Sequence, residues 1–316
     1  MPKIKRFRQR NGAKRGFLDL PFSWVFALIV GAIILFGAIY FATRASNVAN
    51  TESSAQTGSS LLNLLSPLQN GVESANSITI NLPVNSIINH QCSTFGNFGT
   101  DSISVDQFVN NKWTDTGVKI SSENKYIFFP SSLQGKNLNV FSEPFSFPFK
   151  VADLMYVTNA DTKYCFLNMP TTSRKGLQNL NQGNFEYDNC SNDSVKVCFN
   201  SNINCNVNVD TNYRTVTKNG NTVYFQGDAL MYAAIFSDQK IYECELGRLM
   251  NRTKTLLDIY KEKSANLLKV GCDSSTDFAG FQSDLESFNG SADLYILSND
   301  ANNMNSINSN SGCTLW

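Results

Sequence analysis

The sequence predicts an α+β protein in which a single N-terminal transmembrane helix is followed by a disulfide-bonded β-rich domain and a C-terminal helical segment. Three observations carry this prediction. Residues 20–43 (LPFSWVFALIVGAIILFGAIYFAT) contain no charge, residues 77–226 are built of short β-like runs, and after Gly227 the apolar residues recur at helical spacing. All eight cysteines lie beyond the apolar stretch. The implied divisions are a basic cytoplasmic tail (1–16), a transmembrane helix (17–43), a polar stalk with an amphipathic helix (44–76), a β-rich extracytoplasmic domain (77–228) and a helical region (229–316).

The transmembrane assignment rests on length and flanking charge. About 20 apolar residues at 1.5 Å each span a hydrocarbon core of ~30 Å. The whole chain of 316 residues is neutral, with 26 bases and 26 acids, yet residues 1–44 hold eight bases (Lys3, Lys5, Arg6, Arg8, Arg10, Lys14, Arg15, Arg44) against Asp19 alone. Seven of the eight precede the apolar run, which places the N-terminus in the cytoplasm. Trp24 and Tyr40 stand near its two ends, where amphipathic rings favour the interface. A cleaved secretory signal is the alternative, with Ala38, Tyr40, Ala42 and Ala45 near a cleavage position, but the apolar run is longer than such signals need. Ala27, Gly31, Ala38 and Ala42 fall within an arc of roughly 60° at about 100° per residue, a small-residue face that would let another helix approach closely. The partners expected on these grounds are the lipid bilayer and either another membrane helix or a second copy in a homo-oligomer.

Residues 45–60 (ASNVANTESSAQTGSS) are small and polar and read as a mobile stalk, with continuation of the helix through them as the alternative. Leu61, Leu62, Leu64, Leu65 and Leu68 form one helical face that Pro67 and Asn70-Gly71 end. The β-like runs that follow are SITINL, SIINHQC, SISVDQF, KYIFF, NLNVF, LMYVT and KYCFL. Strict alternation at 205–210 turns Val207 and Val209 inward and Asn206, Asn208 and Asp210 outward. Asn219-Gly220 between two β-prone runs predicts a type I′ hairpin over 213–226. Phe141, Phe145, Phe147 and Phe149 alternate with Pro144 and Pro148; the rings are expected in the core rather than on a glycan- or partner-binding surface, and the prolines keep the segment at a sheet edge. From about 237 to 270, with Ser237-Asp238 as cap and Gly271 as stop, a helix of about 30 residues is expected, about 45 Å long. Shorter helices near 277–288 and 292–305 would return beside it.

Beyond the membrane, an even number of cysteines reads as a disulfide framework. The candidates are Cys92, Cys165, Cys190, Cys198, Cys205, Cys244, Cys272 and Cys313. No Cys-x-x-Cys occurs, and a single His cannot build a site that needs two or three, so no metal or cofactor is expected. A straight helix keeps Cys244 from Cys272, because a disulfide tolerates only about 7 Å between Cα atoms. The expected pairing is Cys244 with Cys313 across antiparallel return helices that tie down Trp316, leaving Cys272 to reach into the β-rich domain.

Function is less legible. The body after residue 44 carries 18 bases and 25 acids, a net of −7, which repels phosphates and argues against nucleic acid. His90 and Cys92 share a strand face, but pairing of Cys92 would remove the thiol. No Gly-x-Ser-x-Gly, His-Glu-x-x-His or Walker A pattern nominates a catalytic residue. Asn189, Asn192, Asn251 and Asn289 each begin a glycosylation sequon. The favoured reading is a membrane-anchored extracytoplasmic protein of structural or binding role; an outward-facing enzyme without a recognisable motif is the third.

Two resemblances bear on the rest. Lys14-Arg15-Gly16-Phe17 before an apolar helix resembles the leader of type IV prepilins, which implies cleavage after Gly16 and a helix that bundles into a filament. The acidic residue that the family carries at the fifth mature position falls on Pro21, and Asp19 is third. LPFSWVFALIVGAIILF, ENKYIFF, FPFKVADLMY, GDALMYAAIFSD and KVGC resemble segments of uncharacterised, N-terminally membrane-anchored archaeal proteins. That likeness spans most of the chain and implies an archaeal cell envelope, without an activity.

Overall fold

A 43-residue helix, α1 (Phe22–Leu64), opens the computed structural model, which describes residues 22–65, 76–109, 111–114, 117–201 and 203–316. The basic tail, Gly16, Asp19, Pro21, Pro67 and Asn70-Gly71 lie outside the described residues. Phe22–Ser46 is long and apolar enough to cross a membrane, with a mean hydropathy of 2.6, and none of it is buried in the protein. The chain divides into residues 1–49 and a compact unit of residues 50–316.

Of the two courses open to residues 45–60, the structure takes the helix. No proline interrupts 45–60, and on its buried side Ser54 and Gly58 continue the stripe that Leu61 and Leu65 complete, at spacings of four, seven and eleven. A Cβ at Gly58 would stand 2.8 Å from Ile120 Cδ1, so a larger residue there would have to displace that methyl. Ser53 Oγ donates to Gln107 Oε1 (3.1 Å), and Gln107 Nε2 donates to Thr57 Oγ1 (3.0 Å). Tertiary contact, rather than propensity, holds these turns.

The sheet beneath them contains β1 (Asn76–Ser93), β2 (Thr100–Val109), β3 (Lys112–Thr114), β4 (Lys119–Ser122), β5 (Tyr126–Phe128), β6 (Ser132–Ser146) and β7 (Lys150–Asn159). Its order is β3-β2-β1-β6-β7-β5, with β4 also on β2, and only β5 and β7 pair in parallel. Leu61, Leu62 and Leu65 join Ile80, Ile88, Ile103 and Val105 in one apolar cluster on this sheet. Beyond Ser142, β6 pairs with β7 alone among the described residues, so Pro144 does sit at a local edge. The four phenylalanines of that segment are buried.

A second sheet, ordered β13-β12-β11-β10-β8-β9, holds β8 (Tyr164–Leu167), β9 (Phe185–Tyr187), β10 (Val195–Phe199), β11 (Val207–Asp210), β12 (Thr215–Lys218) and β13 (Asn221–Tyr224). Helix α2 (Thr171–Asn179) connects β8 to β9. Val207 and Val209 are buried as alternation requires, and Asn219 (φ 52°) and Gly220 (φ 77°) make the hairpin turn with both central residues left-handed.

Helix α3 (Gly227–Phe236) is buried at every position from Ala229 to Phe236 and touches β6, β7 and β12. α4 (Gln239–Lys269) follows; Asp238 caps it by accepting from Ile241 N at 3.0 Å, and Gly271 (φ 85°) lies just past its end. α5 (Ala279–Ser287) and α6 (Leu294–Asn310) complete the chain. One core runs from Tyr126 to Leu315 through both sheets and these helices, so the β-rich and helical regions share their interior.

Candidate functional site

All eight cysteines are paired: Cys92–Cys244, Cys165–Cys190, Cys198–Cys205 and Cys272–Cys313. The expected Cys244–Cys313 bond is replaced, and the reason is the number of chain reversals. α5 runs back along α4 until Ser291, whose N and Oγ donate to Glu243 (2.8 and 2.6 Å) near the start of α4. α6 then reverses again, so the C-terminus arrives where α4 ends: Trp316 packs on Tyr260 (5.3 Å) and Phe149 (5.6 Å). Cys313 therefore meets Cys272. Cys244, six residues into α4, lies against β1 and bonds Cys92, so it is Cys244 rather than Cys272 that reaches into the β-rich part.

His90 and Cys92 make no nucleophile pair, because Cys92 is bonded and His90 is turned into a buried cluster. His90 Nε2 stands 2.7 Å from Asp101 Oδ1, both side chains having lost essentially all contact with solvent. The contact is not a well-aligned hydrogen bond, and among the described residues Asp101 Oδ2 has no hydrogen-bond partner. The imidazole stacks on Phe129 at 4.3 Å. Glu245, one residue after Cys244, is fully buried and is held by Arg248 Nη1 at 2.9 and 2.7 Å. Burial first, and then the Asp101 charge, push the Glu245 carboxyl well above its ordinary pKa, against the pull of Arg248. Arg248 spends its other donors on main-chain oxygens: Nε on Phe98 (3.2 Å), Nη1 on Lys125 (2.9 Å), and Nη2 on Ser122 (3.3 Å) and Glu123 (2.9 Å). Its face covers Tyr126 at 4.9 Å.

His90, Asp101 and Glu245 offer donor atoms within 4.8 Å of one another, the spacing of a metal site. The fit is poor. Two ligands of a tetrahedral zinc at about 2.0–2.1 Å stand about 3.3 Å apart, whereas the His90–Asp101 contact is shorter. A dication beside Arg248 would also leave a net positive charge in a dry interior. The arrangement is a charge clasp joining β1, β2, the 122–125 turn and α4. Sequence reasoning passed over it, although one signal existed: Glu245 and Arg248 fall four and seven residues after Ile241, on the stripe that α4 buries.

Glu143, half-buried on β6, is a second perturbed acid. Burial, with a contribution from the Asp228 charge, pushes its carboxyl to about 7. The folded protein thus holds this proton more tightly than the unfolded chain, and stability is lost as pH rises from about 4.5 to about 7. After allowance for solvent screening, the wild-type protein is expected to be about 1–2 kcal/mol less stable at pH 8 than at pH 5 from this group. Urea denaturation of Glu143→Gln at the two pH values checks this; a pH difference equal to that of the wild type would refute it.

Ala27, Gly31, Ala38 and Ala42 are all exposed on α1, and nothing lies within 4 Å of a Cβ built at Gly31. Of the sequons, Asn189, Asn192 and Asn289 are exposed, whereas Asn251 lies inside α4 with the Thr253 hydroxyl buried on Leu249 O (2.9 Å). No protein-family profile, curated protein or solved structure matches the chain.

Proposed function

We propose that the chain is a single-pass membrane protein with a cytoplasmic N-terminus and an extracytoplasmic domain of structural or binding role in the cell envelope. The supporting observation is the division of the chain: an unburied apolar helix at 22–46, and beyond it eight cysteines joined in four bonds, as an oxidising compartment favours. The basic tail gives the orientation, and an archaeal envelope is the setting that the sequence resemblance implies. Thiol labelling of intact cells with a membrane-impermeant reagent tests the reading. Label is expected only after reductant, from outside; cysteines labelled freely, and only from the cytoplasmic side, would overturn it.

A type IV pilin-like subunit cleaved after Gly16 is the second reading. It is favoured by the unbroken course of α1 through the polar segment and by the burial of Leu61, Leu62 and Leu65 on an antiparallel sheet. In that reading the stripe of Ala27, Gly31, Ala38 and Ala42 packs on helices of neighbouring copies. N-terminal sequencing of the membrane-extracted protein separates the cases: a start at Phe17 supports the pilin, an intact basic tail the plain anchor, and a start after the apolar run a secreted domain.

A further inference from the structure

The second sheet has a built outer face. Val209, Val216 and Val223 line up across β11, β12 and β13 toward the core, so the neighbouring rows point outward: Asn208, Thr217 and Thr222 in one, Asp210, Thr215 and Tyr224 in the next. Asn200, Ser201, Asn208, Asp210, Thr215 and Thr217 line an open cleft of about 430 Å³ on this face. Its walls are fixed. The Cys198–Cys205 bond closes the loop that carries Asn200 and Ser201, and Asn200 Oδ1 accepts from Thr211 N (2.9 Å) and Thr211 Oγ1 (3.0 Å). Asp210 Oδ1 accepts from Asn212 N (2.9 Å) and Tyr213 N (3.0 Å), which orders the turn at the cleft's end.

The lining chemistry narrows the ligand. Among the described residues no lysine or arginine lines the cleft, so an anion would meet no basic side chain in its walls. The single carboxylate already serves two main-chain N–H groups through one oxygen, which is thin provision for a cation. Among the described residues Val209 is the one apolar lining residue, and its side chain is turned away, so a lipid chain gains nothing there. What remains is a row of amides and hydroxyls beside two exposed aromatic rings, Tyr224 (42% exposed), directly across from Thr215, and Tyr213 (79%). Amides and hydroxyls match a polyhydroxylated molecule, and rigid amphipathic tyrosine rings supply contact area for the apolar faces of sugar rings. We propose that this cleft is a binding site for a neutral oligosaccharide.

The proposal goes beyond the membrane reading and does not depend on it. The test uses the full chain in detergent, with all disulfides intact, and saturation-transfer NMR against maltotetraose, cellotetraose, chitotetraose and mannotetraose. At least one is expected to bind at up to about 10 mM. Asn208→Ala and Thr217→Val are each expected to weaken that binding about fivefold, the loss of roughly one hydrogen bond. Tyr213→Ala is also expected to weaken it, and Ser121→Ala on the other sheet is expected to leave it unchanged. All three binding-face positions are at least partly exposed, so these variants keep the fold, which the unchanged thermal transition verifies. No binding by any of the four sugars, binding that all three face variants leave intact, or a preference for sulfated or carboxylated sugars would overturn the proposal. None of these failures would bear on thiol labelling or on the N-terminal sequence.

Discussion

Arg248→Met is expected to destabilise the folded domain by about 3–5 kcal/mol, because it removes the guanidinium that pairs with the buried Glu245 carboxyl. Four carbonyl oxygens, those of Phe98, Ser122, Glu123 and Lys125, lose a donor in the same step. Arg248→Lys is expected to restore little. An ammonium has three donors on one atom and cannot reach a carboxylate and four carbonyls that the guanidinium spans from three nitrogens. The surrounding backbone is shaped for arginine: a Cβ at Gly99 (φ 60°) would stand 2.4 Å from Ser93 O and 2.8 Å from Arg248 Cγ. Glu245→Gln keeps an acceptor for Nη1 but strands the Arg248 charge, so a loss between those of the wild type and Arg248→Met is expected. Urea denaturation of the detergent-solubilised protein measures all three. Should a variant be too unstable to purify, pulse proteolysis of freshly extracted protein gives the ranking. A lysine variant within about 1 kcal/mol of the wild type would show that charge alone, and not the planar fork, holds the turn to α4.

Much of the architecture was written in local pattern. The strands, the Asn219-Gly220 hairpin, the Asp238 cap and the length of α4 follow from alternation, turn chemistry and helical spacing, because each of these signals lies within a few residues. The errors share a cause of the opposite kind. Residues 45–60 left stalk and helix both open, because the face they bury is built from Ser54 and Gly58, small residues that leave no hydrophobic period; contact with β2 and β4 favours the helix. Cys244 and Cys313 were matched on the assumption that the return helices end beside the start of α4. That end point depends on two reversals rather than one, and no residue in α5 or α6 announces the count. The charge clasp was missed because its members come from positions 90, 101, 245 and 248, which only the packing of α4 on β1 brings together. The outer face of the second sheet is intermediate: alternation turns Asn208 and Asp210 outward, but their alignment with Thr217 and Thr215 needs the register of β11 on β12.

Removing the Cys92–Cys244 bond as Cys92→Ser/Cys244→Ser is expected to have an effect of about the same size as Arg248→Met. The bond spans 152 residues with a Cα separation of 6.0 Å. In the chain-entropy picture a loop of that length contributes about 5 kcal/mol, against about 2 kcal/mol for a seven-residue span such as that of Cys198–Cys205. The Cys165–Cys190 and Cys198–Cys205 bonds lie inside the long loop and shorten it effectively, but the dependence is logarithmic and changes the value little. The native state adds a second contribution. Cys92 stands directly across from Asp101, and Cys244 precedes Glu245, so the bond also holds the end of β1 against α4 at the point where the clasp closes. With the bond gone, water reaches the four buried side chains more easily, and the loss of Arg248 should then matter less. The double-mutant cycle between Cys92→Ser/Cys244→Ser and Arg248→Met is therefore expected to show coupling of about 1 kcal/mol or more, the combined loss being smaller than the two separate losses together. Effects that add to within about 0.5 kcal/mol would instead place the whole contribution of the disulfide in the unfolded chain.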